Sequence, residues 1–258
     1  MSIKIFIRIG LSGRCSSLYD VLISWFLMGY PYLRKQNKGE GIRIEVMADS
    51  MRVGKTTAVK VLAEGLRSRG HDVSESYEDW QHNPYLAKSY EDPECNFLES
   101  QKWFIKRKHQ QIVDGSRLRR GYGRVNIFIQ DVAPEMDYCY AETNRRLGRM
   151  SEEHFAEYQT YFEGLDWSVA PAPTLLVYLT ASDEVLIQRA MDSRRKFETV
   201  EPEYFLMMKR VNREWLVGAK KQVEYKIIEI DTDDYDFAHD SIIRADLVGK
   251  VVNKIGMV

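Results

Sequence analysis

The stretch "IRIEVMADSMRVGKTTAVKVLAEGL", residues 42–66, constrains this chain more than any other. An apolar strand (Ile42–Ala48) runs into a short loop. The loop runs into a helix whose apolar residues Val59, Leu62 and Leu66 recur at helical spacing before Gly70 closes it. A phosphate-binding loop reads G-x-x-x-x-G-K-[ST], and Gly54, Lys55 and Thr56 stand where that pattern needs them. In such a loop the backbone N–H groups point inward at an anion, and the following helix adds its positive end. The lysine reaches the β- and γ-phosphates, and the hydroxyl after it holds Mg²⁺. Asp49, Ser50, Met51, Arg52, Val53, Gly54, Lys55, Thr56 and Thr57 are therefore expected to cradle ATP or another nucleoside triphosphate. One letter departs: Asp49 replaces the opening glycine. Asp tolerates tight-turn dihedrals better than most residues. Its charge is unwelcome beside phosphates, and Arg52 is the expected offset.

Strands and helices alternate beyond the loop. Asp72–Glu75 reads as a strand, residues 99–113 as a Lys/Arg-rich helix and residues 124–131 as a buried strand ending in an acid. Helices are expected over 134–147, 151–165, 182–192 and 202–217, with strands over 174–180 and 226–231 and a last helix after them. This alternation predicts an α/β fold with a parallel sheet covered on both faces. "NKGEG" (Asn37–Gly41) reads as a linker, dividing an extension (1–40) from the main domain (41–258). The extension is basic, with Asp20 its only acid up to residue 39. An extra strand (Ile3–Ile9) and a buried helix (Tyr19–Tyr30) are favoured there over a transit segment. The net charge of −1 gives no bulk attraction to nucleic acid or to a membrane surface. The three widely spaced cysteines suggest neither a disulfide framework nor a metal site. A cytoplasmic protein is expected, or a mitochondrial one if residues 1–40 are a transit segment.

"SESYEDWQHNPYLAKSYEDP" (Ser74–Pro93) resembles the deoxynucleoside kinase family, which carries a Glu, a Trp five residues later and then an N-P-Y-L-like segment. The likeness continues through Gln101, Asp131, "RLGRMSEEHFAEYQTYF", "LLVYLTASDEVLIQRA" and a basic stretch from Arg189 to Glu198, covering residues 42 to about 216 in register. It implies a three-layer α/β/α P-loop kinase fold with a central five-stranded parallel sheet and a lid segment. It also implies ATP-dependent phosphorylation of the 5′-hydroxyl of a deoxynucleoside, with Mg²⁺. In that reading Glu75 is the general base, and Lys55, Arg189 and Arg195 act on the phosphates. Thr56 and Asp131 hold the metal, Asp131 through water. Trp80 walls the nucleoside pocket. Tyr85 and Glu198 grip the 3′-hydroxyl, while Gln101 and Asp137, with Lys108, read the base edge. Family members are commonly dimers through a helical face, so a homodimer is the implied assembly.

The sequence departs from the family at several of these places. Val132 and Ala133 follow Asp131 where the family has an arginine and a serine. Loss of such an arginine can cost on the order of 10³-fold in phosphoryl transfer. Ser193 replaces a second lid arginine, with Arg194 beside it, and Lys108 replaces a base-reading arginine. Ala141 replaces an aromatic that stacks on the base, which suggests room for a bulkier nucleoside. Arg52 and Arg194 are the expected substitutes for the missing clamp. The competing readings are a family fold kept for nucleotide binding or assembly without catalysis, and a nucleoside monophosphate kinase. The acidic "YEDWQHNPY" disfavours the latter, since its acceptor phosphate would need a basic grip there.

Overall fold

Five parallel strands form the centre of the molecule in the order β2-β3-β1-β4-β5. The computed structural model describes residue 34 and residues 41–120, 127–193 and 201–257, with backbone alone for 93–95 and 118–120. The strands are β1 (Ile42–Ala48), β2 (Val73–Ser76), β3 (Ile127–Asp131), β4 (Leu175–Thr180) and β5 (Lys226–Asp231). All of β3 and β4, and β1 after Ile42, are buried, whereas β2 and β5 at the edges stay partly open. Continuous apolar runs belong in strands covered on both faces, and they fall here in the middle of the sheet.

The helices are α1 (Lys55–Arg67), α2 (Leu86–Glu91), α3 (Pro93–Arg120), α4 (Pro134–Arg146), α5 (Glu152–Glu163), α6 (Asp183–Asp192), α7 (Pro202–Gln222) and α8 (Ser241–Ile255). α1 packs on α8, while α3, α4, α5 and α7 pack on one another. Local chemistry sets their ends. The Ser151, Ser182 and Asp240 side chains accept from the N–H groups of His154, Val185 and of Ile242 and Ile243. Pro134 opens α4, with Glu135 and Asp137 in its first turn and Arg145 and Arg146 in its last, as the helix dipole favours. α3 is much longer than the helix expected over 99–113, and α2 before it was not foreseen.

Strand register sets the site. β1 pairs with β3 and with β4, so Val46 lies between Asp131 and Val177, and Ala48 at the strand end lies beside Leu179. The chain leaves β1 toward one side of the sheet and later returns to the other, and ligands of such sheets bind beyond the strand ends at that switch.

Beneath the sheet lies a buried ion cluster. Arg34 donates to Glu45 (2.8 and 2.5 Å), to Glu135 (2.9–3.1 Å) and to the Pro171 carbonyl (3.1 Å). Arg43 donates to the same Glu45 at 2.8 Å. Arg34 falls on the extension side of the boundary expected at residue 40, yet it is buried in this body. The strand, helix and transit alternatives for the extension lie outside the described residues. Removing one partner from a buried ion cluster leaves uncompensated charge. Arg34→Met is expected to cost about 3–5 kcal/mol in urea denaturation. An unchanged midpoint would mean that Glu45 and Glu135 are neutralised without Arg34.

Candidate active site

The loop after β1 is held from behind. Asp49 is fully buried and its carboxylate points away from the cradle. Its Oδ1 accepts from the Tyr178 hydroxyl (3.1 Å), and its Oδ2 from the Ala181 N–H (3.2 Å) and Arg213 (2.9 Å). Arg213 Nε closes an ion pair with Oδ1 at 2.5 Å. The Asp49 carbonyl accepts from Asn212 at 2.8 Å, and its N–H donates to the Leu179 carbonyl at 2.9 Å. The partner that offsets this acid is therefore Arg213, on α7, and not Arg52. Burial raises the pKa of Asp49, against the pull of Arg213. The left-handed backbone positions fall elsewhere in the loop, at Arg52 (φ 63°) and Gly54 (φ 110°). A Cβ on Gly54 would also come within 3.1 Å of Phe237.

Lys55 and Thr56 open α1 beneath this loop. The half-buried Lys55 ammonium donates to the Ser50 carbonyl at 3.1 Å, inside the cradle. Burial lowers its pKa, opposed by Asp131 and Glu78. The Thr56 hydroxyl donates to Asp131 Oδ2 at 2.6 Å, which places the loop hydroxyl and the β3-end carboxylate together. Burial raises the pKa of Asp131, against its hydrogen bond from Thr56 and the charge of Lys55. A hydroxyl and a carboxylate oxygen are the hard donors that Mg²⁺ takes when phosphates supply most of its remaining ligands. Among the described residues no cluster of three His, Cys, Asp or Glu could hold a metal alone.

A crevice of about 710 Å³ extends from this loop. Lys55, Thr56 and Asp131 line one end, Gln101 and Asp137 line it too, and Trp80, Phe97, Phe104, Tyr140 and Tyr204 give it aromatic walls. Gln101 is buried, and its Oε1 has no hydrogen-bond partner. Asp137 is gripped by the buried Lys108, whose Nζ lies 2.8 Å from Oδ1 and 2.7 Å from Oδ2. Burial pushes the Asp137 carboxyl up to about 6, against the pull of Lys108.

Neither Glu75 nor Tyr85 lines this crevice. Glu75 lies within β2 opposite Ile129, and its side chain pairs with Arg67 of α1, whose Nη1 is 3.2 Å from Oε1. The glutamate that lines the crevice is Glu78, two residues beyond the end of β2. Tyr85 stands at the start of α2, its backbone N–H donating to Asn83 Oδ1 at 3.0 Å, and does not line the crevice, whereas Tyr77 and Tyr90 do. The room expected at Ala141 is also absent: Ala141 is fully buried, and Tyr140, one helical turn from Asp137, lines the wall.

Arg189 stands on the other side of the loop. Its guanidinium donates to the Thr232 hydroxyl (2.8 Å) and carbonyl (2.6 Å). With Arg52, Gly54, Tyr235, Phe237 and His239 it lines a second cavity of about 400 Å³. Arg194, Arg195 and Glu198 lie outside the described residues. Glu78, Tyr90, Tyr140 and Arg213 are the residues that sequence reasoning missed. The helical i, i+3 spacing from Asp137 was a usable signal for Tyr140. Arg213 had none, being 164 residues from its partner.

The loop, the strand-end carboxylate and the aromatic crevice agree with what the whole chain matches. The sequence model described as deoxynucleoside kinase matches residues 47–256. This chain belongs to the deoxynucleoside kinase family. It is 26% identical over 215 residues to the deoxyadenosine/deoxycytidine kinase of Bacillus subtilis, covering 82% of this chain and 93% of that one. A probable deoxycytidine kinase of fowlpox virus is 22% identical, over 78% of this chain and 83% of its own. The fold is also that of the deoxyadenosine kinase of M. mycoides. Its structure with dCMP and dCDP superposes with a TM-score of 0.65 at 16% identity, covering 84% of this chain and 100% of that one. Its dATP complex superposes with a TM-score of 0.64, covering 82% and 99%. As a deoxynucleoside kinase, the chain is a phosphotransferase that uses ATP to phosphorylate a deoxynucleoside. No helix among the described residues is long and apolar enough to cross a membrane.

Asp49 makes the loop of this family member testable. If the carboxylate is a structural anchor, Asp49→Gly restores the usual loop letter yet leaves Tyr178, Ala181 and Arg213 without it. The loss is expected to be about 2–4 kcal/mol in thermal or urea unfolding. A variant as stable as the parent would contradict the anchor.

Proposed function

We propose that the crevice transfers the γ-phosphoryl group of ATP to the 5′-hydroxyl of a deoxynucleoside, with Glu78 as the general base. The observation that carries this reading is Glu78 in the same crevice as Lys55, Thr56 and Asp131, which the Arg67-paired Glu75 does not reach. The loop amides and Lys55 hold the donor phosphates. Thr56 and Asp131 would hold Mg²⁺, which would neutralise phosphate charge. Glu78 accepts the 5′-hydroxyl proton as that oxygen bonds to the γ-phosphorus. The bond from that phosphorus to the β–γ bridging oxygen breaks, and its electron pair leaves with ADP. Phosphoryl transfer asks mainly for position and charge stabilisation, so one well-placed carboxylate suffices.

The nucleoside lies along the aromatic walls between Trp80 and Tyr204. Tyr90 takes the sugar contact expected of Tyr85. Gln101 and Asp137 meet the base edge, since the Gln101 amide carries both donor and acceptor groups. The donor's base enters the second cavity, flanked by Arg189, Tyr235 and Phe237. Arg195 and Glu198 keep the phosphate and 3′-hydroxyl roles implied by the family likeness. A homodimer and a cytoplasmic location complete the proposal.

The two glutamates separate the alternatives. Glu78→Gln is expected to lower kcat by about 10²–10⁴-fold while leaving ATP binding in place. Glu75→Gln is expected to keep kcat within about threefold, because a surface-side ion pair contributes little. Steady-state assays with ATP, Mg²⁺ and deoxyadenosine or deoxycytidine read both. Loss of turnover in Glu75→Gln, with Glu78→Gln active, would return the base to β2.

A further inference from the structure

Lys108 has a part that base-edge contact does not explain. It is 2% exposed, on the inner side of α3, and it does not line the crevice itself. Its ammonium is shared between two acids from different elements: Asp137 of α4, at 2.7 and 2.8 Å, and Glu78 of the segment after β2, at 3.6 Å. It is the one cation within 4 Å of Glu78 among the described residues. We propose that Lys108 is a positioning residue for phosphoryl transfer, holding the Glu78 carboxylate over the reacting hydroxyl while it anchors Asp137. This deepens the function proposed above and rests on it.

The distances divide the two jobs. At 2.7–2.8 Å the Asp137 contact is a charge-assisted hydrogen bond that fixes geometry. At 3.6 Å the Glu78 contact is too long for a hydrogen bond and acts through charge. That charge is strengthened because the ammonium is almost fully out of water. The groups that face Lys108 are Asp137 from α4, Glu78 after β2, Asp131 at the end of β3 and, as a like charge, Lys55 at the start of α1. Burial pulls the Lys108 pKa down, but Asp137 and Glu78 outweigh it and hold it above the ordinary lysine value. The cation therefore stays charged while Glu78 takes up and releases its proton. Val132 and Ala133, next to Asp131, are buried apolar residues and supply no charge there. One buried ammonium thus ties the nucleobase end of the crevice to the transfer end.

The test uses four variants of the full chain: Lys108→Met, Asp137→Asn, both together, and Lys108→Arg. The double variant removes the buried pair as a unit, which cores tolerate better than half a pair. It shares with Asp137→Asn any loss at the nucleobase end, so the difference between them belongs to Lys108. The double variant is expected to have kcat about 10²-fold below Asp137→Asn, as for a misplaced reacting group. The KM for ATP should match. The acid limb of its kcat profile should move to higher pH, because carboxylates that lose a neighbouring cation are protonated more easily. Lys108→Arg should recover part of the rate lost in Lys108→Met. If the double variant and Asp137→Asn share the same kcat and the same acid limb, Lys108 is only a structural partner of Asp137 and the inference is overturned. Parent protein without turnover on any deoxynucleoside would overturn the function reading instead. If Lys108→Met alone does not fold, the double-variant comparison decides.

Discussion

Asp49 and Arg213 hold the nucleotide loop in place, and the site is arranged around that contact. A cradle of backbone N–H groups works only if the turn that presents them cannot relax. In this chain the turn is tied at its first residue to β4 through Tyr178, Leu179 and Ala181, and to α7 through Asn212 and Arg213. Ser50 adds a further tie, its hydroxyl donating to the Phe205 carbonyl of α7 at 3.3 Å. The carboxylate that looks hostile to phosphate is turned away from it and neutralised. What a glycine gives by conformational freedom, this loop obtains by anchoring, and the backbone freedom is used instead at Arg52 and Gly54.

From that fixed point the chemistry spreads along the strand ends. β1 delivers the loop, β3 delivers Asp131 to the Thr56 hydroxyl, and the segment after β2 brings Glu78 and Trp80 over the crevice. α3 and α4 close the far end with Gln101, Lys108 and Asp137. The charged groups here are largely buried, so each is costly unless paired. The pairings observed, Lys108 with Asp137 and Thr56 with Asp131, pre-set the positions of groups that must act together. Below the sheet, the Arg34 cluster does similar work for β1 and α4, joining Glu45 to Glu135.

Much of this was legible from residue order. The runs at 42–48, 124–131 and 174–180 read as strands and fall in the middle of the sheet, and "GKT" after the first of them marked the loop. Thr56 came from the loop pattern and Asp131 from the family likeness, and the structure joins the two by a hydrogen bond. The two expected residues that lie off the crevice, Glu75 and Tyr85, belong to one acidic, tyrosine-containing stretch. Spacing to Trp80 could not show which acid the strand still held and which lay past its end. Ala141 misled by helical phase, since Tyr140 takes the wall that a residue at 141 was expected to line. Asp49 misled by distance, for Arg213 and Tyr178 are neighbours only after the sheet has closed. Arg34 read as part of a separable extension because a single charge buried under a sheet leaves no periodic signal.

The most direct measurement is transfer of the terminal phosphate of γ-labelled ATP, with Mg²⁺, to each of the four deoxynucleosides, with the product's position read by phosphorus NMR. The account predicts a labelled 5′-monophosphate from at least one of them, and its loss in Lys55→Met. A folded parent protein that labels none of the four, or labels them equally well without Lys55, would contradict it.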